Sequence, residues 1–328
     1  LEVGCIVSLN NRGNIILKEL GVGTSALNFF AKGTLYIILC YNILKILKEG
    51  DILQTKYLYH YTTIDTLTLI LKNKTMRFNS LSNVDDLEEF RAIDLNAIGK
   101  YCFVSCWTAS EEENVALWQM YSKNGTGVRI KLPSYPFEIY KNPIISFSCY
   151  ENIYTKLKRY EVIENSETYN SIFEGITLRD GYYLQELSEE EFLIFINYTD
   201  DELLIIPQVM SEDGKNIKTS IIGRHKRKAW SFQKECRYRF FAYPLDINET
   251  AEYMQDTSIA LNKIKDQIEL PISYYDLKLD SDKFKDMEVT LGPNTSLSEK
   301  IIVQALINNF NPPAKISHST LEGKIRFK

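Results

Sequence analysis

The sequence predicts an α+β fold. Strand-like runs crowd both ends of the chain from residue 57 onward, helical spacing lies between them, and no regular strand–helix alternation of a parallel sheet recurs. The runs Tyr57–Thr62, Tyr101–Thr108 and Glu235–Tyr243 are dense in aromatic and β-branched residues and are expected in one curved sheet or two abutting ones.

The elements follow in order. Leu58–Thr62 reads as a strand. Thr62 or Thr63 can cap the next helix, and Asp65 in its first turn suits the dipole. Ile64, Leu67 and Leu71 give that helix its buried stripe, and Asn73-Lys74 ends it. Met76–Asn79 is extended, Ser82–Asp86 turns, and Leu87–Ile98 reads as a short acidic helix. After the strand Tyr101–Thr108, Ser110 is expected to cap a helix with Glu111, Glu112 and Glu113 in its first turn and Leu117, Trp118 and Tyr121 along it. Val128, Ile130 and Leu132 alternate with Arg129 and Lys131 as a half-buried strand, and Ile144–Tyr150 is another. From about residue 151 to 230 the pattern reads as a helical insertion, with Ser188–Glu191 as a capping-box signature. Strands return at Glu235–Tyr243, Ile268–Leu279 and Met287–Leu291. A Gly292–Thr295 break, a helix over Leu297–Phe310 and strands at Lys315–His318 and Lys324–Phe327 complete the chain.

The 328 residues carry 38 Lys and Arg against 43 Asp and Glu, a net charge of −5, which argues against general nucleic-acid binding. A 45% hydrophobic content supports a full core. Six cysteines lie scattered without a C-x-x-C pair or a zinc pattern, so no metal is expected. Cys102 and Cys106 share a strand, where their Cα atoms lie about 13 Å apart, too far for a disulfide. Reduced thiols in a cytoplasmic protein are the simplest reading. The chain opens on Leu1 rather than Met, as expected of a fragment or of a non-AUG start read literally. Residues 1–50 read as an N-terminal extension, helical or poorly ordered. Its apolar stretch Ala26–Leu47 is interrupted by Asn28, Lys32, Asn42 and Lys45. That falls short of the roughly 20 apolar residues of a membrane span, so a membrane partner is not expected.

Five constellations could carry chemistry. His60 and Thr62 lie on the first strand of the domain, and Glu235 opens a later one between Gln233-Lys234 and Arg237. A lone His in an aromatic strand is more often a satisfied core residue, and Glu235 could be a solvated edge charge. The functional alternative is a carboxylate that orients a ribose hydroxyl and stabilises an oxocarbenium-like cation. Trp118 and Tyr121 adjoin on one helix face, either as a core anchor or as a platform for a nicotinamide or base. Asn83–Glu89 suits helix capping better than cation binding. His225–Lys228 is either a basic helix end or a phosphate clamp. Gly292–Ser296 reads as a plain strand–helix turn.

Four segments resemble the bacterial family called domain of unknown function 2971. They are LYHYTTIDTLTLILKNKTMRFNSLSNVDDLEEF, CFVSCWTASEEENVALWQMYSKNGTGVRI, AWSFQKECRYRF, and EVTLGPNTS with KISHST. They frame Tyr57–Lys328, which is expected to form a single domain. Leu87 departs from the family's usual Pro. The order of a strand His, an aromatic helix and a late strand Glu is also similar to ADP-ribosyltransferases. That similarity implies a split, mostly antiparallel sheet and NAD as substrate. His60 and Thr62 would hold the ribose, Trp118 or Tyr121 would stack on nicotinamide, and Glu235 would drive transfer. Arg77 would meet a phosphate. The function so implied is NAD-dependent ADP-ribosyl transfer to an unknown macromolecule, in a defence or toxin system. The alternative is a non-catalytic nucleotide- or protein-binding module.

Overall fold

A computed structural model describes residues 6–9, 15–18, 56–151 and 157–327. The chain divides into two compact units, Leu1–Thr55 and Lys56–Lys328. In the first, β1 (Ile6–Leu9) pairs antiparallel with β2 (Ile15–Lys18), so strands stand where a helical or poorly ordered extension was expected. The Ala26–Leu47 segment lies outside the described residues.

In the second unit, β3 (Tyr57–Thr62) leads into α1 (Ile64–Asn73), capped by the Thr63 hydroxyl, which accepts from the Thr66 amide at 3.1 Å. Lys74 ends the helix in the left-handed region at φ 53°, and β4 (Thr75–Ser80) follows. β5 (Cys102–Thr108), α2 (Val115–Tyr121) and β6 (Val128–Pro133) come next. Gly127 lets β6 start hard against β3, for a Cβ there would lie 2.2 Å from the Thr62 carbonyl oxygen.

A hairpin of β7 (Tyr140–Glu151) and β8 (Lys158–Ser171) follows, then short strands β9 (Leu178–Arg179) and β10 (Tyr182–Gln185). After the one-turn helix α3 (Glu189–Phe192) come β11 (Leu193–Phe195), β12 (Asn197–Thr199), a second single turn α4 (Glu202–Ile205) and β13 (His225–Arg227). The expected helical insertion over about 151–230 is therefore corrected to a largely β region. Its strands are short or solvent-facing, so neither period stands out in the sequence. The Leu87–Ile98 helix is likewise absent. That stretch is turns, because its carboxylates are drawn to distant cations rather than to a helix N-terminus.

β14 (Glu235–Tyr243) is buried along its whole length. Beyond it lie α5 (Ile247–Tyr253), α6 (Ser258–Lys265), β15 (Tyr274–Lys278), α7 (Ser281–Lys285), β16 (Glu288–Leu291), α8 (Leu297–Phe310) and β17 (Lys315–His318). Ser296 and Glu299 close a capping box on α8. Lys324–Phe327 is not a strand.

Among the described residues, eleven strands form one sheet, ordered β17-β16-β6-β3-β5-β14-β10-β9, with β4 branching from β5 to β15 and β11 on β14. Within it the pairs are antiparallel except β16–β17. The fold is α+β with a largely antiparallel open sheet. β3 meets β5 at a single position, Tyr59 opposite Thr108, so the sheet is nearly parted there. Helices α1 and α8 bury Leu67, Ile70, Leu71, Val303 and Ile307 in the core shared with Val128, Ile130, Val289 and Leu291.

β14 shows why its pattern reads so clearly. Cys236, Tyr238, Phe240 and Ala242 enter that main core, while Phe241 and Tyr243 enter a second one with Leu81, Ile98 and Leu261. The alternation is the two-residue period of a strand.

A chain beginning at Lys56 is expected to keep one cooperative thermal transition near that of the full chain, because its core is built from residues after 56. Circular dichroism melting checks this, and loss of the transition would refute it.

Candidate functional site

Where the sheet parts, residues of β3, β5, β14, α2 and the turn 83–85 line a cavity of about 220 Å³. His60, Tyr121 and Glu235 are brought together there, with Trp107 and Cys106 from β5.

The His60 ring is fixed on two sides. Nδ1 lies 2.8 Å from the Cys106 carbonyl oxygen. A carbonyl only accepts, so Nδ1 carries the proton and Nε2 holds a lone pair. The ring lies 5.2 Å from that of Trp107, tilted by 42°. Burial holds the imidazole below its ordinary 6.5, against the opposing pull of the Cys106 carbonyl, so it is neutral at physiological pH.

The floor is a buried group of four charges. Glu235 takes hydrogen bonds from Lys226 Nζ at 2.9 Å and from Arg237 Nε at 2.8 Å, and Arg237 Nη2 reaches the same oxygen. Glu89 receives Arg237 Nη1 on one oxygen and lies 3.0 Å from Lys226 Nζ with the other. None of the four side chains is more than 6% exposed. Burial alone would raise the Glu235 carboxyl, but the Arg237 and Lys226 charges override it and hold it below 4.5. The Lys226 ammonium also donates to Gln233 Oε1 at 2.9 Å, and Gln233 Nε2 donates to the Tyr121 hydroxyl at 2.8 Å. Burial, then the Asp85 carboxylate, pushes the Tyr121 phenol up. Burial also raises the Cys106 thiol well above its usual range, so it stays protonated.

Other expected site residues lie elsewhere. Trp118 is fully buried, edge-on to Tyr61 at 4.8 Å, with its indole N–H donated to Glu113 at 2.9 Å. It is a core anchor, clustered with Tyr61 and Leu117, on an α2 that starts at Val115 with Asn114 rather than Ser110 as its cap. Thr62 is buried beyond the cavity lining. Arg77 pairs with Asp276 at 2.9 Å and stacks on Tyr274 at 3.5 Å, across β4 and β15, so no phosphate contact falls to it at the cavity. His225–Arg227 is a strand and not a helix end. Arg227 pairs with Glu88 and Glu202, and Lys228 with Asp200, which leaves no open clamp.

Sequence reasoning missed Glu89, Trp107 and the pairing roles of Lys226 and Arg237. One signal was present. Glu235, Arg237 and Arg239 place three charges on one face of a strand whose other face is apolar, and buried charges require partners.

Residues 117–238 match the family described as "Protein of unknown function (DUF2971)", which bears out the family resemblance over that span. The span holds Tyr121, Lys226, Gln233, Glu235 and Arg237, while His60, Glu89 and Trp107 fall before it. No curated protein and no solved structure matches the chain. Among the described residues, no helix is long and apolar enough to cross a membrane.

Removing one member of the quartet strands a buried charge. Lys226→Met is expected to cost about 3–5 kcal/mol in urea denaturation, and Lys226→Met with Glu235→Gln less than the sum of the two. Strict additivity would show that the charges do not act as a unit. Since the folded Glu235 carboxyl titrates below 4.5, its stabilisation is complete above that pH and is lost as pH falls through the folded value. Glu235→Gln should flatten the acid side of the stability curve.

Proposed function

We propose that the cavity binds one planar heteroaromatic ring, the base or nicotinamide end of a nucleotide, and that the protein is a nucleotide-binding module. What supports this most is the convergence of His60, Trp107 and Tyr121 on one recess at the parting of the sheet. The aromatic side chains offer apolar faces, and stacking contributes about 1–3 kcal/mol per base. A volume of about 220 Å³ lies under the roughly 300–1,000 Å³ of whole-ligand pockets, which suits one ring and its substituents rather than a complete dinucleotide.

Cleavage of the nicotinamide–ribose bond of NAD, with transfer to an acceptor, is the second reading. It is favoured by the ionised Glu235 carboxylate on the same cavity as His60. Glu235 would stabilise the oxocarbenium-like charge, and His60 would position a ribose hydroxyl. Against that role, both Glu235 oxygens already receive hydrogen bonds from Lys226 and Arg237. A carboxylate so neutralised has less field left for a further cation.

Calorimetric titration with NAD, ATP and GTP, beside chromatographic assay of nicotinamide release, separates the two. A nucleotide-binding module binds at least one and releases no nicotinamide, with or without cell lysate as acceptor. Glycosyl transfer predicts release that falls by about 10² or more in folded Glu235→Gln. Failure of every nucleotide and free base to bind would overturn the proposal.

A further inference from the structure

Two cations belong to the cavity wall, yet neither is free to meet an anion. Lys226 Nζ already faces Gln233, Glu235 and Glu89. Arg237 is fully buried, bonded to both carboxylates and to the Gly223 carbonyl. The indole N–H of Trp107 is also spent, on Ser105 Oγ at 3.1 Å. Gln233 gives a proton of its amide to Tyr121 and its oxygen to Lys226.

The acceptors are in the opposite state. His60 has one hydrogen bond, through Nδ1 to Cys106. Its Nε2 has no partner among the described residues and is not among the buried unpartnered atoms, so this lone pair is open to the cavity. Asp85 adds an exposed carboxylate to the lining. The wall's cationic composition is therefore misleading. What the paired charges leave over on the wall is the unpartnered acceptor His60 Nε2, beside the Asp85 carboxylate.

We infer that the cavity selects its ring by hydrogen-bond donors, with His60 Nε2 as the specificity-determining atom: it takes a carboxamide- or amine-bearing ring and rejects the matching carboxylate. This rests on the reading of the cavity as a ring-binding site. A carboxamide N–H meets the His60 lone pair directly. A carboxylate would set two acceptors against each other beside the Asp85 carboxylate, with Lys226 and Arg237 already paired.

Nicotinamide, nicotinate and 3-acetylpyridine make a suitable series for titration against the full chain. They share a ring and differ in having an N–H donor, a negative charge, or neither. Nicotinamide should bind about 10-fold more tightly than 3-acetylpyridine, as for one hydrogen bond, and about 10² more tightly than nicotinate. His60→Phe keeps a ring but removes the acceptor, and should bring nicotinamide down to the level of 3-acetylpyridine. Should that variant not fold, His60→Gln serves, since its amide adds a donor and should narrow the gap to nicotinate. The preference should hold above pH 6.5 and weaken only below it, where a protonated imidazole turns Nε2 into a donor. Equal binding of nicotinamide and nicotinate, or an unchanged preference in a folded His60 variant, would overturn this inference while leaving the ring-binding site standing. Failure of all three rings and of free bases to bind the wild-type chain would remove the ring-binding reading and this inference with it.

Discussion

The Arg237–Glu235 pair sits at the centre of a neutral quartet on which the shape of the cavity depends. Glu89 comes from a turn after β4, Lys226 from a three-residue strand, and Glu235 and Arg237 from the central strand β14. Glu89 and Arg237 are 148 residues apart. Taking four charges out of water is costly, and their mutual attraction offsets that only while all are present and well placed. The quartet therefore fixes where the turn carrying Glu89 and the short strand carrying Lys226 must lie against β14. Apolar packing alone would leave more freedom, since it is far less directional.

The same network carries order outward to the cavity. Lys226 fixes Gln233, and Gln233 fixes the Tyr121 hydroxyl on α2. Lys234, between Gln233 and Glu235, sits in the left-handed region at φ 44°. A non-glycine residue there is strained, and such strain persists only where the surroundings over-determine it. Here the surroundings are explicit. The Thr108 hydroxyl donates to the Lys234 carbonyl at 2.9 Å, and the Lys234 amide donates to Ser231 at 3.2 Å. The left-handed residue turns the chain so that Gln233 and Glu235 on either side of it are both buried at the cavity.

Legibility in the sequence tracked the range of the deciding interaction. β14, α8 and β17 can be read to the residue because the signals are local: two-residue alternation, and a Ser296–Glu299 capping box. Between 151 and 230 the long β8 pairs with its hairpin neighbour β7 but is largely exposed, and the short strands beside the main sheet are set by partners elsewhere. β11 is placed by β14 and β12 by β13, and neither has length enough to show a period. At the site, His60, Tyr121 and Glu235 are legible by chemical type. Trp118 misleads because positions three apart on a helix adjoin without sharing an environment. One turns to Tyr61 and the core, the other to the cavity rim. Glu89 is hidden in an acidic run in which nothing local distinguishes it from Glu88, although one is buried and the other meets Arg227 near the surface.

The neutral quartet also bears on what chemistry the cavity can support. Glu235 is kept ionised by two cations, and those same cations cancel its field at the cavity. Its carboxylate thus serves mainly to hold Lys226 and Arg237 in ion pairs at the cavity floor. His60 stands outside this compensation, since it is neutral and its one hydrogen bond among the described residues leaves the second nitrogen open. At the cavity wall that lone pair is an acceptor with no partner among the described residues. A buried polar atom contributes most where its partner is supplied by the ligand alone.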